Sequence, residues 1–369
     1  MIHKKNSDVA IDIARPHTIK KFELIEEYVK AWAQKLLNYQ DCSGIVFIDC
    51  MSNSGVYQDD NGNEVIGTPI RVSKYISEIM ESYPDKKAWL FFNDLSQEKI
   101  DLLKGRLPIE TDNLFIGTQS GDGNTFLKSI DIPNRLQVSY LLIYDPYQAA
   151  IDWEALLPFL HRWGEVIINH MVSDSVRGVS QAKRDATIAK YEQTYLSSIQ
   201  ELATFGSGRE AYDKRVHEIM NTLRGTLGKR YYIASFPFFN TRNTLVYNLI
   251  HGSSNIEGFK LFKKTAWKTF GGKSSAKNTH GNENQLMLDM TGEGVVTTPT
   301  DEYCYYVKDI AKYLYSEFKG KNGVPLSDVW DALAEHPVFP SDGYAREIKA
   351  ALKNDYNCKV SRSSIDFPG

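Results

Sequence analysis

The stretch GIVFIDCMSNSGVY, residues 44–57, joins a continuous apolar run to a loop of small and turn-forming residues. Apolar strands that alternate with helices indicate a parallel sheet with both faces covered. The sequence therefore predicts an α/β fold, in which ligands lie beyond the carboxyl ends of the strands. The other apolar runs, most of them separated by helical stretches, are AWLFFND (88–94), NLFIGT (113–118), VSYLLIYD (138–145) and EVIINHMV (165–172).

The regions around these strands predict further units. Residues 18–38 form an amphipathic pattern that predicts a helix packed on the sheet. The runs YYIASFPF (231–238) and TLVYNLIHG (244–252) are joined by a short link, which predicts a hairpin. Three helices and a terminal strand, CKVSR (358–362), fit a winged helix. The predicted domains are an α/β domain (1–173 and 229–270), a helical insertion (174–228), a linker or mobile loop (271–300) and a winged-helix-like domain (301–369).

Composition limits the classes of function. The chain has 369 residues and a formal net charge of −3, so any contact with nucleic acid requires a local basic patch. The four cysteines show neither a CxxC pair nor a zinc-site spacing, and no metal site is predicted. No secretory signal and no apolar run of about 18 residues is present. We therefore expect a cytoplasmic protein in a reducing compartment, without membrane contact.

The loop that follows the first strand is a candidate for cofactor binding. Asp49 ends the strand, and Asn53 and Gly55 lie in a loop of small residues, where a cofactor could approach the main chain. An ordinary βα loop explains the same residues equally well.

Polar residues also follow the second and third strands. Asn93 and Asp94 end the second strand, where a carboxylate commonly binds a ribose diol. Asp122, after the third strand, could meet the amine of adenine. Both acids could instead cap the helices that follow them.

The strongest local signal is Asp145-Pro146-Tyr147 after the fourth strand. It resembles the signature of methyltransferases that act on exocyclic amines. In that chemistry the acid accepts a hydrogen bond from the amine, the proline directs a main-chain carbonyl into the site, and the aromatic ring stacks on the substrate. A strand-ending turn is the structural alternative.

A basic patch is predicted near the end of the chain. Arg346, Lys349 and Lys353 share one helical face, and Lys359 and Arg362 follow in the predicted wing. This pattern is typical of a DNA-reading helix and wing. A solvated face on a partner-binding domain is the alternative.

Several blocks of the sequence together resemble the three-Cys-motif partner (TcmP) proteins. The blocks are HTIKKFELIEEYVKAWA, FIDCMSNSGVYQDDNGNEVIGTPI, FFNDLSQEKIDLLK, GDGN, YDPYQ and FKLFKKTAWK. The resemblance implies a class I methyltransferase-like (Rossmann-like) fold with a mostly parallel sheet and a hairpin strand pair, an association with mobile elements, and a three-Cys-motif partner protein. Cys50 and Asn53 stand where the family typically has glycines, and Val56 stands where it has an arginine.

Two hypotheses follow. The first is a methyltransferase-like protein that uses S-adenosylmethionine (SAM) and modifies an exocyclic amine of a nucleobase or nucleic acid. Asp145, Pro146 and Tyr147 would then hold the target amine, and the other strand-end residues would line the cofactor pocket. The second, suggested by the altered glycine loop, is a non-catalytic module of the same fold that couples a three-Cys-motif partner protein to DNA or RNA.

Overall fold

The computed structural model describes residues 11–130, 137–160, 163–206, 209–225, 231–277 and 304–369. Of the predicted linker, residues 278–300 lie outside the described residues. The helices and strands of the first half are α1 (Pro16–Leu37), β1 (Gly44–Asp49), β2 (Val56–Gln58), β3 (Glu64–Ile66), α2 (Thr68–Met80), β4 (Lys87–Asp94), α3 (Gln97–Lys104), β5 (Leu114–Ser120), α4 (Gly123–Ser129), β6 (Val138–Tyr144), α5 (Trp153–Leu156) and β7 (Gly164–His170).

The second half begins with a run of helices and then returns to the sheet. Its elements are α6 (Val172–Gly178), α7 (Asp185–Tyr195), α8 (Ile199–Thr204), α9 (Arg209–Gly225), β8 (Tyr232–Phe239), β9 (Leu245–Ser253), α10 (Ile256–Thr269), α11 (Val307–Phe318), β10 (Val324–Pro325), α12 (Leu326–Ala334), α13 (Ala345–Tyr356), β11 (Lys359–Val360) and β12 (Ser364–Asp366). Short 3-10 turns at Leu157–Leu160 and Val179–Gln181 complete the description.

One sheet organises the described part of the chain, with seven strands in the order β5-β4-β1-β6-β7-β9-β8. The pairs among β5, β4, β1, β6 and β7 are parallel, and β9 is antiparallel to both β7 and β8. This is the order of a class I methyltransferase-like sheet, so the predicted fold class is confirmed. All seven strands lie within two residues of the predicted runs.

Burial explains why these segments form the sheet. Every residue of β1, β6 and β7 is buried, as expected for central parallel strands covered on both faces. On one face, α1 packs through an apolar stripe that includes Tyr28 and Trp32. On the other, side chains of the helical run, such as Tyr191 and Leu223, join the core cluster around β6.

The loop after β1 contains an element that the sequence pattern did not predict. Strands β2 and β3 form a short antiparallel hairpin there. Residues 11–15 lie beside it: the amide of Ala14 donates to the carbonyl of Gln58 at 2.8 Å, and the amide of Gln58 donates to the carbonyl of Asp12 at 3.1 Å. We call residues 11–15 the N-terminal strap, because they run alongside β2 in the loop after β1.

The C-terminal segment has the element order helix–strand–helix–helix–strand–strand. The predicted terminal strand (358–362) is present as the shorter β11, but it does not end the segment alone. It pairs with β12, and β12 pairs in turn with β10. The segment packs on α10. The Lys263 ammonium donates to the carbonyls of Leu333, Ala334 and His336 at 2.6–3.1 Å, and it thereby caps the carboxyl end of α12. No helix among the described residues is long and apolar enough to cross a membrane.

Candidate functional site

Four neighbouring strands bring the predicted polar residues to one edge. Because β5, β4, β1 and β6 are parallel and adjacent, their carboxyl ends meet there. Asp49 pairs in register with Phe92 on one side and Ile143 on the other, so it lies between the predicted cofactor strand and the predicted substrate strand. The structure thus places the predicted cofactor and substrate residues at the same end of the sheet.

The loop after β1 forms a tight turn with a single glycine, Gly55. The positive φ angles of this loop lie at Asn53 (58°) and Gly55 (70°). Asparagine tolerates this region better than most residues, so Asn53 can adopt this conformation. A Cβ at Gly55 would lie 2.9 Å from side-chain atoms of Ile70 and Leu103, so this glycine is required by packing as well. Cys50 donates from Sγ to the carbonyl of Ile143 at 3.4 Å.

Asn93 and Asp94 tie the loops of this edge together. The Asp94 carboxylate accepts from the amide of Asn53 at 3.0 Å and from the amide of Ser96 at 2.9 Å. Asn93 donates to the carbonyls of Cys50 and Gly121, both at 3.0 Å, and its buried Oδ1 has no hydrogen-bond partner among the described residues. Both side chains are buried. Their hydrogen bonds hold the loops in place, and of their acceptors Oδ1 of Asn93 is left without a partner in the described part of the chain.

Asp122 caps a helix at the border of this edge. Its exposed carboxylate accepts from the amide of Thr125 at 2.8 Å and from the Thr125 hydroxyl at 3.0 Å, which makes it the N-cap of α4. These contacts match the structural alternative for this residue.

The Asp145 carboxylate is held by two side chains that the sequence patterns missed. The Lys21 ammonium contacts Oδ2, and the Asn169 amide contacts Oδ1. Lys21 is 7% exposed and lies on the buried stripe of α1, which is unusual for a lysine. A lysine on the buried stripe of a helix is the sequence signal that could have identified Lys21 as a functional candidate. Asn169, the penultimate residue of β7, carried a weaker one.

Asp49 lies buried beside this ion pair. Burial raises the pKa of its carboxyl to about 7, and the negative charge of Asp145 contributes to the rise. The amide of Met51 donates to Asp49 at 3.3 Å and favours the ionised form. The raised pKa of Asp49 means that burial favours its protonated form more than in an exposed aspartate.

The N-terminal strap brings Asp12 into the same corner. The Asp12 carboxylate accepts from the Asn53 amide at 2.5 Å and from the Lys99 ammonium at 2.7 Å, and it lies 3.4 Å from the Tyr147 hydroxyl. Asn53 also donates to the Tyr147 hydroxyl at 2.8 Å. Burial alone would raise the pKa of Asp12, but the bonds from Lys99 and Asn53 lower it, so Asp12 remains an anion. The Tyr147 side chain is largely exposed, and Pro146 is buried.

Three of the five residues of the predicted basic patch share one surface in the described part of the chain. Arg346, Lys349 and Lys353 line a groove of about 540 Å³ along α13. Lys359 lies in β11, and Arg362 follows in the turn before β12. None of the five side chains has an ion-pair partner among the described residues. The Lys349 ammonium lies 5.8 Å from the ring centroid of Trp330.

Comparison with known proteins finds similar solved structures but no family. No protein-family model and no curated protein matches the chain. Among solved structures, a DUF519-family protein from Legionella pneumophila is similar with a TM-score of 0.40 and 9% identity, over 70% of this chain and 93% of that chain. An O-methyltransferase from Bacillus cereus in complex with SAH has a TM-score of 0.34 and 10% identity, over 62% of this chain and 80% of that chain. The class of fold therefore rests on the strand order described above.

Proposed function

We propose that this chain is a SAM-dependent methyltransferase, with the carboxyl edge of the sheet as its active site. The observation that carries the proposal is the convergence of Asp49, Asp94 and Asp145 at one edge, next to a loop with left-handed turns at Asn53 and Gly55. In sheets of this kind the ligand lies at that edge. The orphaned acceptor of Asn93 supplies a group that a bound ligand could satisfy.

Within this proposal, Asp49, Asn53, Gly55, Asn93 and Asp94 hold the cofactor, and Asp122 borders it. SAM supplies an electrophilic methyl group when bound. The chain's own part is to hold the acceptor nitrogen in line and to accept a hydrogen bond from its N–H, which is the role of Asp145.

The proposed substrate is an exocyclic amine of a nucleobase or nucleic acid. Tyr147 offers an exposed aromatic ring on which a base could stack. The carboxylate of Asp145 already contacts Lys21 and Asn169, but an ionised carboxylate has about four lone-pair sites. An incoming amine can therefore share Asp145 with Lys21.

Calorimetry with SAM and with SAH tests the cofactor. We expect both to bind, because the two share the adenosyl and amino-acid groups that these residues would contact. Asp94→Asn should weaken the binding of both, whereas Asp101→Asn, an exposed acid on α3, should not. Absence of heat with either compound at high protein concentration would remove the cofactor from the proposal.

The alternative function is a non-catalytic module that couples a three-Cys-motif partner protein to nucleic acid, in the setting of mobile elements that the family resemblance implies. Two contacts favour it: Asn53 donates a hydrogen bond to Asp12, and Lys21 pairs with Asp145. These polar groups at the edge of the sheet are therefore already satisfied within the chain. Recovery of a stable protein partner from the native host, without SAM binding, would support this alternative. Transfer of label from methyl-labelled SAM to DNA or RNA would support the enzyme.

The basic groove of α13 is proposed as the nucleic-acid contact for either function. The helix–strand–helix–helix–strand–strand order around it suits a winged-helix-like domain, in which a helix and a wing approach the phosphates. Neutralising Arg346, Lys349 and Lys353 together should flatten the log–log salt dependence of binding by nearly 3 units, about 0.9 per lost phosphate contact. An unchanged slope in the triple variant would assign the groove to a protein partner instead.

A further inference from the structure

A cleft opens at the opposite end of the sheet from the candidate active site. Its volume is about 340 Å³, which lies within the range of small-molecule sites. Ser139 and Glu165 are the second residues of β6 and β7, and Ser253 is the last residue of the antiparallel β9, so the cleft lies where the parallel strands begin. We call it the amino-end cleft. Its walls come from Trp32 and Lys35 of α1, Gly258 and Leu261 of α10, Tyr39 after α1 and Trp163 before β7.

A buried polar triad lies at this cleft. The Tyr28 hydroxyl donates to Oε2 of Glu165, and Nε2 of His251 lies 2.8 Å from the same oxygen. Tyr28 and His251 are fully buried, and Glu165 is 7% exposed. Burial raises the pKa of Tyr28 well above its ordinary value, so the phenol remains a donor. Since burying a carboxylate is costly unless it is paired, these two contacts explain how Glu165 is kept at this position.

The triad leaves one carboxylate oxygen for a ligand. Both contacts go to Oε2, and Oε1 has no hydrogen-bond partner within the part of the chain that the structure describes. Gly258 gives Oε1 its space, because a Cβ at that position would lie 2.3 Å from the oxygen. Glu165 lines the cleft, so it offers an acceptor to a group that enters.

The walls of the amino-end cleft suit a flat ring. The rings of Tyr39 and Trp163 have centroids 5.9 Å apart and are inclined by 53°, which makes an aromatic surface at the opening. Trp32 is 2% exposed, and its indole N–H has no hydrogen-bond partner among the described residues. An orphaned donor costs free energy, which a ligand acceptor that reached it would offset. At the rim, Lys35 and Glu257 form an exposed ion pair at 2.8 Å.

We propose that the amino-end cleft binds a nucleobase that carries an exocyclic amine. The amine would donate to Oε1 of Glu165, and the ring would stack on Trp163, with the inclined ring of Tyr39 against its edge. A carbonyl at the same place would face the carboxylate without a proton between them, so uracil would be rejected. The exposed Lys35–Glu257 pair is weak enough to exchange, which leaves Lys35 for a phosphate. The proposal is independent of methyl transfer, because it uses the other end of the sheet.

Calorimetry of the full chain with cytidine and uridine tests the proposal. The two nucleosides share the sugar and ring size, and they differ in the amine or carbonyl at C4 and in the proton that uridine carries on N3. We expect cytidine to bind about tenfold or more tightly than uridine, the difference expected for one hydrogen bond to a buried charge. Saturation with SAH should leave cytidine binding unchanged, which separates this cleft from the candidate active site. Equal binding of the two nucleosides, or binding of neither, would overturn the proposal.

The source of the base is distinguished by repeating the titration with short single-stranded oligocytidylate and oligouridylate. Tighter binding of oligocytidylate than of cytidine identifies an unpaired base of a nucleic acid as the ligand. Equal or weaker binding identifies a free nucleoside or nucleotide. Either result supports the amine-bearing base, provided that the uracil counterpart binds more weakly.

Two variants locate the binding. Glu165→Gln keeps the shape of the side chain but removes its charge, and Trp163→Leu removes half of the aromatic surface. Each should weaken cytidine binding about tenfold, whereas Phe115→Leu, on the edge strand β5, should not change it. Thermal unfolding shows whether Glu165→Gln folds, and the half-buried Trp163 provides a variant that leaves the triad intact. Unchanged cytidine binding in folded Trp163→Leu would contradict the site.

Discussion

At the carboxyl end of the sheet, charged side chains contact one another: Lys21 pairs with Asp145, and Lys99 pairs with Asp12. At the amino end, Glu165 is buried with Tyr28 and His251, yet one of its oxygens is left for the adjoining cleft. A ligand at the carboxyl end must therefore exchange existing contacts, and its affinity is reduced by their free energy. A ligand at the amino end enters a cleft that is already formed.

The largest expected effect concerns the buried carboxyl of Asp49 at the carboxyl end. In the folded chain the pKa of Asp49 is raised from 3.8 to about 7, so the folded state keeps a proton that the unfolded state has lost. Asp49 therefore makes the wild-type chain lose stability as pH rises from about 4 to 7. The free energy of unfolding of Asp49→Asn, measured relative to wild type by denaturant titration, should rise over that window by roughly 4 kcal/mol.

The control for this prediction is Asp101→Asn, whose acid is exposed on α3. Its difference from wild type should be nearly constant with pH. A constant difference for Asp49→Asn as well would mean that Asp49 is ionised throughout, stabilised by Lys21, and that the carboxyl end contains no unfavourable buried charge.

The second prediction tests the proposed active site. Asp145→Ala should reduce methyl transfer by roughly 100-fold or more, because it removes the group that accepts the hydrogen bond of the amine. SAM binding, measured by calorimetry, should persist, and cytidine binding at the amino-end cleft should be unchanged. Parallel loss of SAM binding would instead make Asp145 part of the cofactor shell or of the fold.

The sequence predicted the strands and the edge, but not the contacts at either end. Apolar runs and their spacing identified β1, β4, β5, β6 and β7, because strand formation depends on local burial patterns. Asn53 could also be assigned to a turn, since its tolerance of positive φ is a property of the residue type.

The pairs that define the two ends could not be predicted in this way. Lys21 and Asp145 are 124 residues apart, and Tyr28 and Glu165 are 137 apart. Helical periodicity places Lys21 and Tyr28 on the buried stripe of α1, but it does not give the height at which α1 crosses the sheet. That height determines which acid each side chain meets.

The third prediction concerns the N-terminal strap. Asp12→Ala removes the carboxylate that contacts Asn53 and Lys99, so a cofactor would no longer have to displace it. We expect SAM to bind about tenfold more tightly, the value of one charge-assisted hydrogen bond. Asp101→Ala is the matched control. Weaker SAM binding in Asp12→Ala would show that the strap is part of the cofactor site and that the carboxyl end is formed in advance.

The smallest expected effect is at the amino end. Tyr28→Phe removes the hydroxyl that donates to Oε2 of Glu165 but keeps the ring packed against Phe262, whose centroid lies 5.0 Å away. The variant should lose about 1 kcal/mol of unfolding free energy, the typical net value of a buried hydrogen bond. Tyr83→Phe, which loses an exposed hydrogen bond to Asn38, should lose less unfolding free energy.

The Tyr28→Phe variant also tests the amino-end cleft. Because His251 still contacts Glu165 in Tyr28→Phe, cytidine binding should fall less than in Glu165→Gln. An equal fall in both variants would show that Tyr28, rather than His251, sets the position of the carboxylate, and that the amino-end cleft depends on α1 for its shape.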